Sequence, residues 1–146
     1  MIKNKFSMTF EANSENEAFS RNVIASFCIP LNPTLEEISD IKTAVSEAVT
    51  NCIVHAYNEK GGIIEMSAFI TSENVLDVTV KDSGVGIPDV QKAIEPFFTT
   101  KSETERSGMG FTVMQTFMDS FEVCSKINGG TTVHMSKKIM CGGKDA

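Results

Sequence analysis

The sequence predicts an α+β domain: a two-layer sandwich in which one mostly antiparallel sheet is covered on one face by three helices. Three observations predict it. Apolar and polar residues alternate with a period of two at the start, the middle and the end of the chain. Capping signals followed by apolar residues at three- and four-residue spacing open two helices between the first and second strands. Finally, the later strands come in consecutive pairs joined by short turns, which is how antiparallel neighbours are connected.

Residues 5 to 11 set Phe6, Met8 and Phe10 against Lys5, Ser7, Thr9 and Glu11, a half-buried strand. Ser14-Glu-Asn-Glu17 has the form of a capping box, so a helix begins there and carries Ala18, Val23 and Phe27 inward as far as Cys28. Pro30 and Pro33 stop it. Thr34-Leu-Glu-Glu37 is a second capping box. It opens a long helix with Leu35, Ile38, Ile41, Val45, Val49 and Cys52 on its apolar stripe, ended by Asn58-Glu-Lys-Gly-Gly62. Strands at 63–70 and 75–81 flank Thr71-Ser-Glu-Asn74, a loop of hairpin length. Asp89 to Arg106 is polar and poorly periodic, and reads as a mobile lid. Phe111 to Met118 is a third helix, with Val113, Met114, Phe117 and Met118 inward. Phe121–Cys124 and Thr132–Met135 are the last strands, turned through Asn128-Gly-Gly130.

Composition narrows the function classes. The 146 residues are 41% hydrophobic and 22% charged, as in a soluble globular chain. A net charge of -6 argues against a general nucleic-acid binder, which needs a basic footprint. It leaves room for a nucleotide held by backbone amides and a few local cations. No apolar run is long enough for a membrane span. Met1-Ile-Lys-Asn-Lys5 lacks the apolar core of a signal peptide. Cys28, Cys52, Cys124 and Cys141 are scattered, without a CxxC pair, as expected of incidental or buried thiols in a reducing cytoplasm. The expectation is one cytoplasmic domain over 1–140 and a disordered tail over 141–146, with no partner of nucleic-acid or membrane type.

Several catalytic signatures are missing: no GxxxxGK[ST], no GxSxG, and no third glycine to make Gly84-Val-Gly86 a dinucleotide fingerprint. Three pieces remain. Along the long helix, Glu47, Asn51 and His55 recur every four residues on one face. The amide oxygen of Asn51 suits a divalent metal, and Glu47 suits proton acceptance. The second piece is Asp82, delivered at a strand end. It can accept from an exocyclic amine and so read an adenine edge, while Gly84 and Gly86 clear space for the ring. The same Asp-Ser-Gly triplet is also an ordinary turn initiator. The third, Gly108-Met-Gly110, stands at a helix N-terminus, where free N–H groups and the helix dipole suit polyphosphate. Such glycines also serve as plain loop punctuation.

In this order the pieces resemble the GHKL (Bergerat-fold) ATP-binding family, which includes gyrase, the Hsp90 type of chaperone, MutL and the histidine kinases. Glu47-x-x-x-Asn51 resembles its N box, Asp82-x-Gly-x-Gly86 its first glycine box and Gly108-x-Gly110 its second. Ser46-Glu-Ala-Val-Thr-Asn51, Pro96-Phe-Phe-Thr-Thr-Lys101 and Glu105-Arg-Ser-Gly-Met-Gly-Phe111 are similar to the anti-sigma-factor serine kinases of endospore-forming bacteria within that family. The resemblance covers nearly the whole chain. It implies ATP and Mg²⁺ as cofactors, with Asp82 on the adenine amine and Asn51 on the metal. It implies that Glu47 is the general base and that Arg106 neutralises the transferring phosphoryl group. Thr99, Ser107, Gly108 and Gly110 would contact phosphates, with Phe111 behind them.

The implied partners are a sigma factor of the sigma-F type and, as substrate, an anti-anti-sigma factor of the SpoIIAA type. Arg21, with Glu17 on the same helix, would dock them, and the chain would be a homodimer. The alternative is an ATP-gated anti-sigma binding module of the general-stress type, with another sigma partner or little kinase activity. His55 is expected to be structural or to lie on the nucleotide rim, and His134 to be a satisfied strand histidine.

Overall fold

The computed structural model describes residues 1–87 and 110–140. Its elements are β1 (Ile2–Glu11), α1 (Glu15–Cys28), a 3₁₀ turn (Ile29–Leu31), α2 (Leu35–Asn51), a π-helical turn (Cys52–Ala56), β2 (Ile63–Thr71), β3 (Val75–Lys81), α3 (Gly110–Phe117), β4 (Ser120–Lys126) and β5 (Gly130–Lys138). The expected lid over 89–106 and the tail over 141–146 lie outside the described residues.

The five strands form one sheet in the order β1-β2-β3-β5-β4, with every neighbouring pair antiparallel. The period-two pattern decides which face is covered. Phe10, Ile64, Met66, Leu76, Val78, Val80, Val133 and Met135 point to the buried side, and registers such as Met8↔Met66 and Val78↔Met135 keep that side continuous. Against it pack Ile24 and Cys28 of α1, Ile41, Val45, Ala48 and Val49 of α2, and Phe111 and Met114 of α3. The two-layer α+β architecture is therefore the observed one. β5 lies between β3 and β4, so the end of β3 and the start of β5 are adjacent, and Lys81 pairs with Thr132. That adjacency places Asp82 beside Thr131.

The N-terminus of α2 and the end of α3 are tied down locally. Thr34 and Glu37 form the reciprocal capping box expected of them, with Thr34 N donating to Glu37 Oε1 at 2.9 Å and Glu37 N to Thr34 Oγ1 at 3.0 Å. Lys137 Nζ donates to Phe117 O at 2.8 Å, a cation at the C-terminus of α3.

Four local expectations are corrected. The capping box at Ser14 does not form. Asn13 Oδ1 accepts from Asn16 N instead, and the Glu17 carboxylate accepts from Ser46 of α2. Leu35, expected on the apolar stripe of α2, is 90% exposed. In α1 the fully buried stripe is Ser20, Ile24 and Cys28, one residue on from the expected Val23 and Phe27, which do pack against the core but are only half-buried. And α-helical geometry in α2 ends at Asn51 instead of running on towards Asn58.

Candidate functional site

Asp82 follows the last residue of β3 and is 5% exposed. Three donors surround its carboxylate. Oδ1 accepts from Gly84 N at 2.9 Å and from Thr131 N at 3.2 Å, and the Cys52 thiol donates to the same side chain. Its own N–H donates to Thr131 O at 2.9 Å. Burial raises the carboxyl above its ordinary value, and the hydrogen bonds from Gly84, Cys52 and Thr131 pull it back. Burial, together with the neighbouring Asp82 charge, pushes the Cys52 thiol well up, so Cys52 is a protonated donor and not a nucleophile. An acid held this way is a strong acceptor with a fixed direction.

The turn after Asp82 is built against the end of α2. At Cys52–Ala56 the helix widens by one residue, and Tyr57 N donates to Cys52 O at 3.0 Å. The widened turn leaves the carbonyl of Ala56 to accept from Val85 N at 3.1 Å. A side chain at Gly84 would meet that same carbonyl at 2.4 Å, so glycine is required there for the two backbones to approach. Gly86 has φ 81°, and a Cβ on it would lie 2.2 Å from Lys126 O. Ile87 N then donates to Ser125 Oγ at 2.7 Å, which docks the chain onto β4.

Glu47 and Asn51 lie one turn apart on α2, both half-buried. Gly110, the first residue of α3, stands directly over them. A methyl group placed on Gly110 would stand 3.2 Å from Glu47 Oε1 and 3.4 Å from both Asn51 Oδ1 and Nδ2. The helix, the strand-end acid and Gly110 are thus brought together: Asn51 precedes Cys52, which touches Asp82, and Gly110 covers Glu47. Phe111 is buried against Phe121, ring centroids 5.6 Å apart, and this aromatic contact anchors α3 to the sheet. His55 sits half-buried within the π turn. His134 lies on the uncovered face of the sheet, its Nε2 2.7 Å from Asp77 Oδ1.

Glu17 and Arg21 lie on α1. Glu17 Oε2 accepts from Ser46 Oγ and stands 3.6 Å from Arg21 Nε, which ties α1 to the residue preceding Glu47. Thr99, Arg106, Ser107 and Gly108 lie outside the described residues. Among the described residues, no three His, Cys, Asp or Glu side chains converge as a metal site, and no helix is long and apolar enough to cross a membrane.

Sequence reasoning missed four contributors: Cys52, Thr131, Ser125 and Tyr57. The first reads as a core position, which it also is. Thr131 and Ser125 become meaningful only when β5 lies beside β3, a strand order that the sequence does not state. Tyr57 carried one usable signal, being the only tyrosine in the chain and lying just beyond the Glu47–Asn51 row.

Comparison with known proteins agrees with this geometry. A model of the histidine kinase-like ATPase domain family matches residues 10–137. Proteins named anti-sigma F factor are 57% identical over 136 residues in Caldanaerobacter subterraneus (93% of this chain, 94% of that one) and 51% identical over 139 residues in Geobacillus kaustophilus (94% of each). Among solved structures, the RsbU and RsbW domains of a Mycobacterium tuberculosis protein superpose with a TM-score of 0.68 at 17% identity, covering 94% of this chain and 33% of that one. The mycobacterial sensor histidine kinase MprB superposes with a TM-score of 0.57 at 14% identity, covering 92% of this chain and 100% of that one, and shares the fold. The chain belongs to the histidine kinase-like ATPase family, in the branch whose curated members are named anti-sigma F factors.

Proposed function

We propose that this chain is an anti-sigma factor and ATP-dependent protein-serine kinase. It sequesters a sigma factor of the sigma-F type and phosphorylates a serine of an anti-anti-sigma factor. One observation carries the reading: a buried, triply hydrogen-bonded Asp82 is joined through Cys52 to Asn51, with Gly110, which has no side chain, standing over Glu47 and Asn51. A Cβ at Gly110 would press on Glu47 Oε1 at 3.2 Å, so glycine there keeps a side chain away from the amide and carboxylate oxygens, whose donor chemistry suits a hard cation and a proton.

Bound ATP with Mg²⁺ supplies the transferable phosphoryl group and the charge that screens it. The rest is done by the protein. Asp82 accepts the hydrogen bond of the adenine 6-amino group, where guanine has a carbonyl oxygen, and so prefers adenine to guanine. Asn51 would hold the cation through its side-chain oxygen, a ligand type that suits Mg²⁺. The N-terminus of α3 at Gly110 presents N–H groups and the positive end of its dipole to phosphate, with Gly108, Ser107 and Thr99 contributing from the preceding segment. Glu47 accepts the proton of the substrate serine, and Arg106 stabilises the charge on the moving phosphoryl group. Arg21, braced by Glu17, docks both protein partners, and the active form is a homodimer in the cytoplasm.

The test is calorimetry with ATP and Mg²⁺, followed by transfer of labelled γ-phosphate to the anti-anti-sigma protein. Glu47→Ala should leave ATP affinity within about twofold and reduce phosphoserine formation about 1,000-fold, the range of a lost general base. Normal phosphorylation by this variant removes Glu47 from the role. Absence of nucleotide binding by the folded wild type removes the whole reading.

A further inference from the structure

We propose that Tyr57 is a positioning residue for base recognition: its hydroxyl fixes the Asp82–Ser83 peptide and thereby the aim of the Asp82 carboxylate. The inference rests on the reading of Asp82 as the acid that selects adenine.

Three consecutive N–H groups follow Asp82, and each is already engaged. Ser83 N donates to Tyr57 Oη at 2.7 Å, Gly84 N to Asp82 Oδ1 at 2.9 Å, and Val85 N to Ala56 O at 3.1 Å. None is left for phosphate, so the work of this turn is to aim Asp82 and leave room for the ring. Two of the three acceptors, Ala56 O and Tyr57 Oη, come from the π turn and the residue that closes it. They grip the chain on either side of Gly84. The middle bond is internal to the turn and cannot fix it relative to the rest of the molecule.

The Tyr57 hydroxyl is itself held. It donates its only proton to Ile63 O at 2.7 Å, so it meets Ser83 as an acceptor. Its ring lies on Gly62, where a Cβ would stand 2.5 Å from Cε1. At its backbone, Tyr57 N closes the π turn that starts one residue after Asn51. The base-reading acid and the proposed cation ligand are therefore joined twice: through the Cys52 thiol on the Asp82 carboxylate, and through the Tyr57 hydroxyl on the peptide that follows Asp82.

Tyr57→Phe removes the hydroxyl and keeps the ring on Gly62. Both freed groups are near solvent, so water replaces part of what is lost, and the expected effect is that of one neutral hydrogen bond. ATP and ADP affinity should fall roughly fivefold. GTP lacks the amine that Asp82 accepts, so its weak binding should not change, and preference for adenine should shrink by the same factor. KM for ATP should rise with kcat at saturating ATP unchanged, and exchange of the Ser83 amide should accelerate. A purely structural role would lower the melting temperature and leave base selectivity alone.

If wild type and Tyr57→Phe bind ATP equally while the Ser83 amide loses protection, this inference falls and the proposed function stands. If the wild type binds no adenine nucleotide, the proposed function falls and takes the inference with it. Should Tyr57→Phe fail to fold, Gly62→Ala provides the second route. It displaces the ring, keeps the hydroxyl, and should reproduce the loss of selectivity; unchanged selectivity in that variant overturns the inference.

Discussion

The two ends of α2 are built by different means. At its N-terminus, Thr34 and Glu37 satisfy each other's backbone donors within one turn, and the distant Met140 N only adds to a cap already closed. At its C-terminus, the helix opens into a π turn, and its groups are engaged by residues far along the chain: Tyr57 by Ser83, Ala56 by Val85, Cys52 by Asp82. The first end stabilises a helix and has no chemistry. The second accepts irregular backbone in order to hold an acid in place. Widened turns of this kind recur where a helix serves a site as well as a core. The comparison predicts that damage at one end should be felt in stability and damage at the other in binding.

Asp82→Asn should separate the two most strongly. Adenine nucleotide affinity should fall about 100-fold, because a charged acceptor is replaced by a neutral amide that presents donors. Stability should hold or rise. The Asp82 carboxyl is raised by burial, so the folded state keeps its proton to a higher pH than the unfolded chain does. Its favourable contribution is full below the ordinary aspartate value and is lost as pH rises through the raised one. At neutral pH the ionised acid is a stability cost, and Asn removes it. The same sign predicts that ATP affinity in the wild type declines on acidification while an unperturbed aspartate would still be ionised. A variant that lost both stability and binding would mean that Asp82 is structural. Thermal melts with and without ATP, beside calorimetry over a pH series, decide this.

Gly84→Ala comes next. Its methyl group would meet Ala56 O at 2.4 Å, and the obstacle is backbone, not a flexible side chain. The turn must move away from α2, breaking the Val85 N to Ala56 O bond. We expect a loss of about 1–3 kcal/mol of stability, typical of overpacking, and about a tenfold loss of ATP affinity, equivalent to about 1.4 kcal/mol. Binding unchanged beside a lowered melting temperature would show that the turn can shift without disturbing Asp82.

The same contrast explains what could be read from the chain. Local rules held wherever local contacts decide: alternation in β1 and β3, the capping box at Thr34, and the Asn128-Gly-Gly130 turn, where Asn128 takes φ 61°. They failed at Ser14, which has the same sequence form as Thr34. There Ser46, far along the chain on α2, competes for the Glu17 carboxylate and wins. The motif residues Glu47, Asn51, Asp82, Gly84 and Gly86 could be listed because their chemical types and spacing are unusual together. What could not be seen was how they are held. Thr131 reaches Asp82 only through the β3–β5 pairing, and the π turn follows from a fit between α2 and the Asp82 turn. No residue in Cys52-Ile-Val-His-Ala56 announces it.

Thr34→Ala is the smallest effect and the control for the rest. It removes the Oγ1 acceptor of Glu37 N and half of the capping box. Loss of such a cap costs about 1 kcal/mol, a shift of about 3 °C in a domain of this size. The Glu37 carboxylate also accepts from Met140 N at 2.9 Å, so the segment just after β5 should loosen with the cap. Asn51 stands at the opposite end of α2, with Val45, Ala48 and Val49 before it still packed in the core. Nucleotide affinity and base selectivity should therefore stay at wild-type values well below the melting temperature. If Thr34→Ala weakens ATP binding as much as Gly84→Ala does, the pocket responds to the stability of α2 as a whole, and the division of labour between its two ends is wrong.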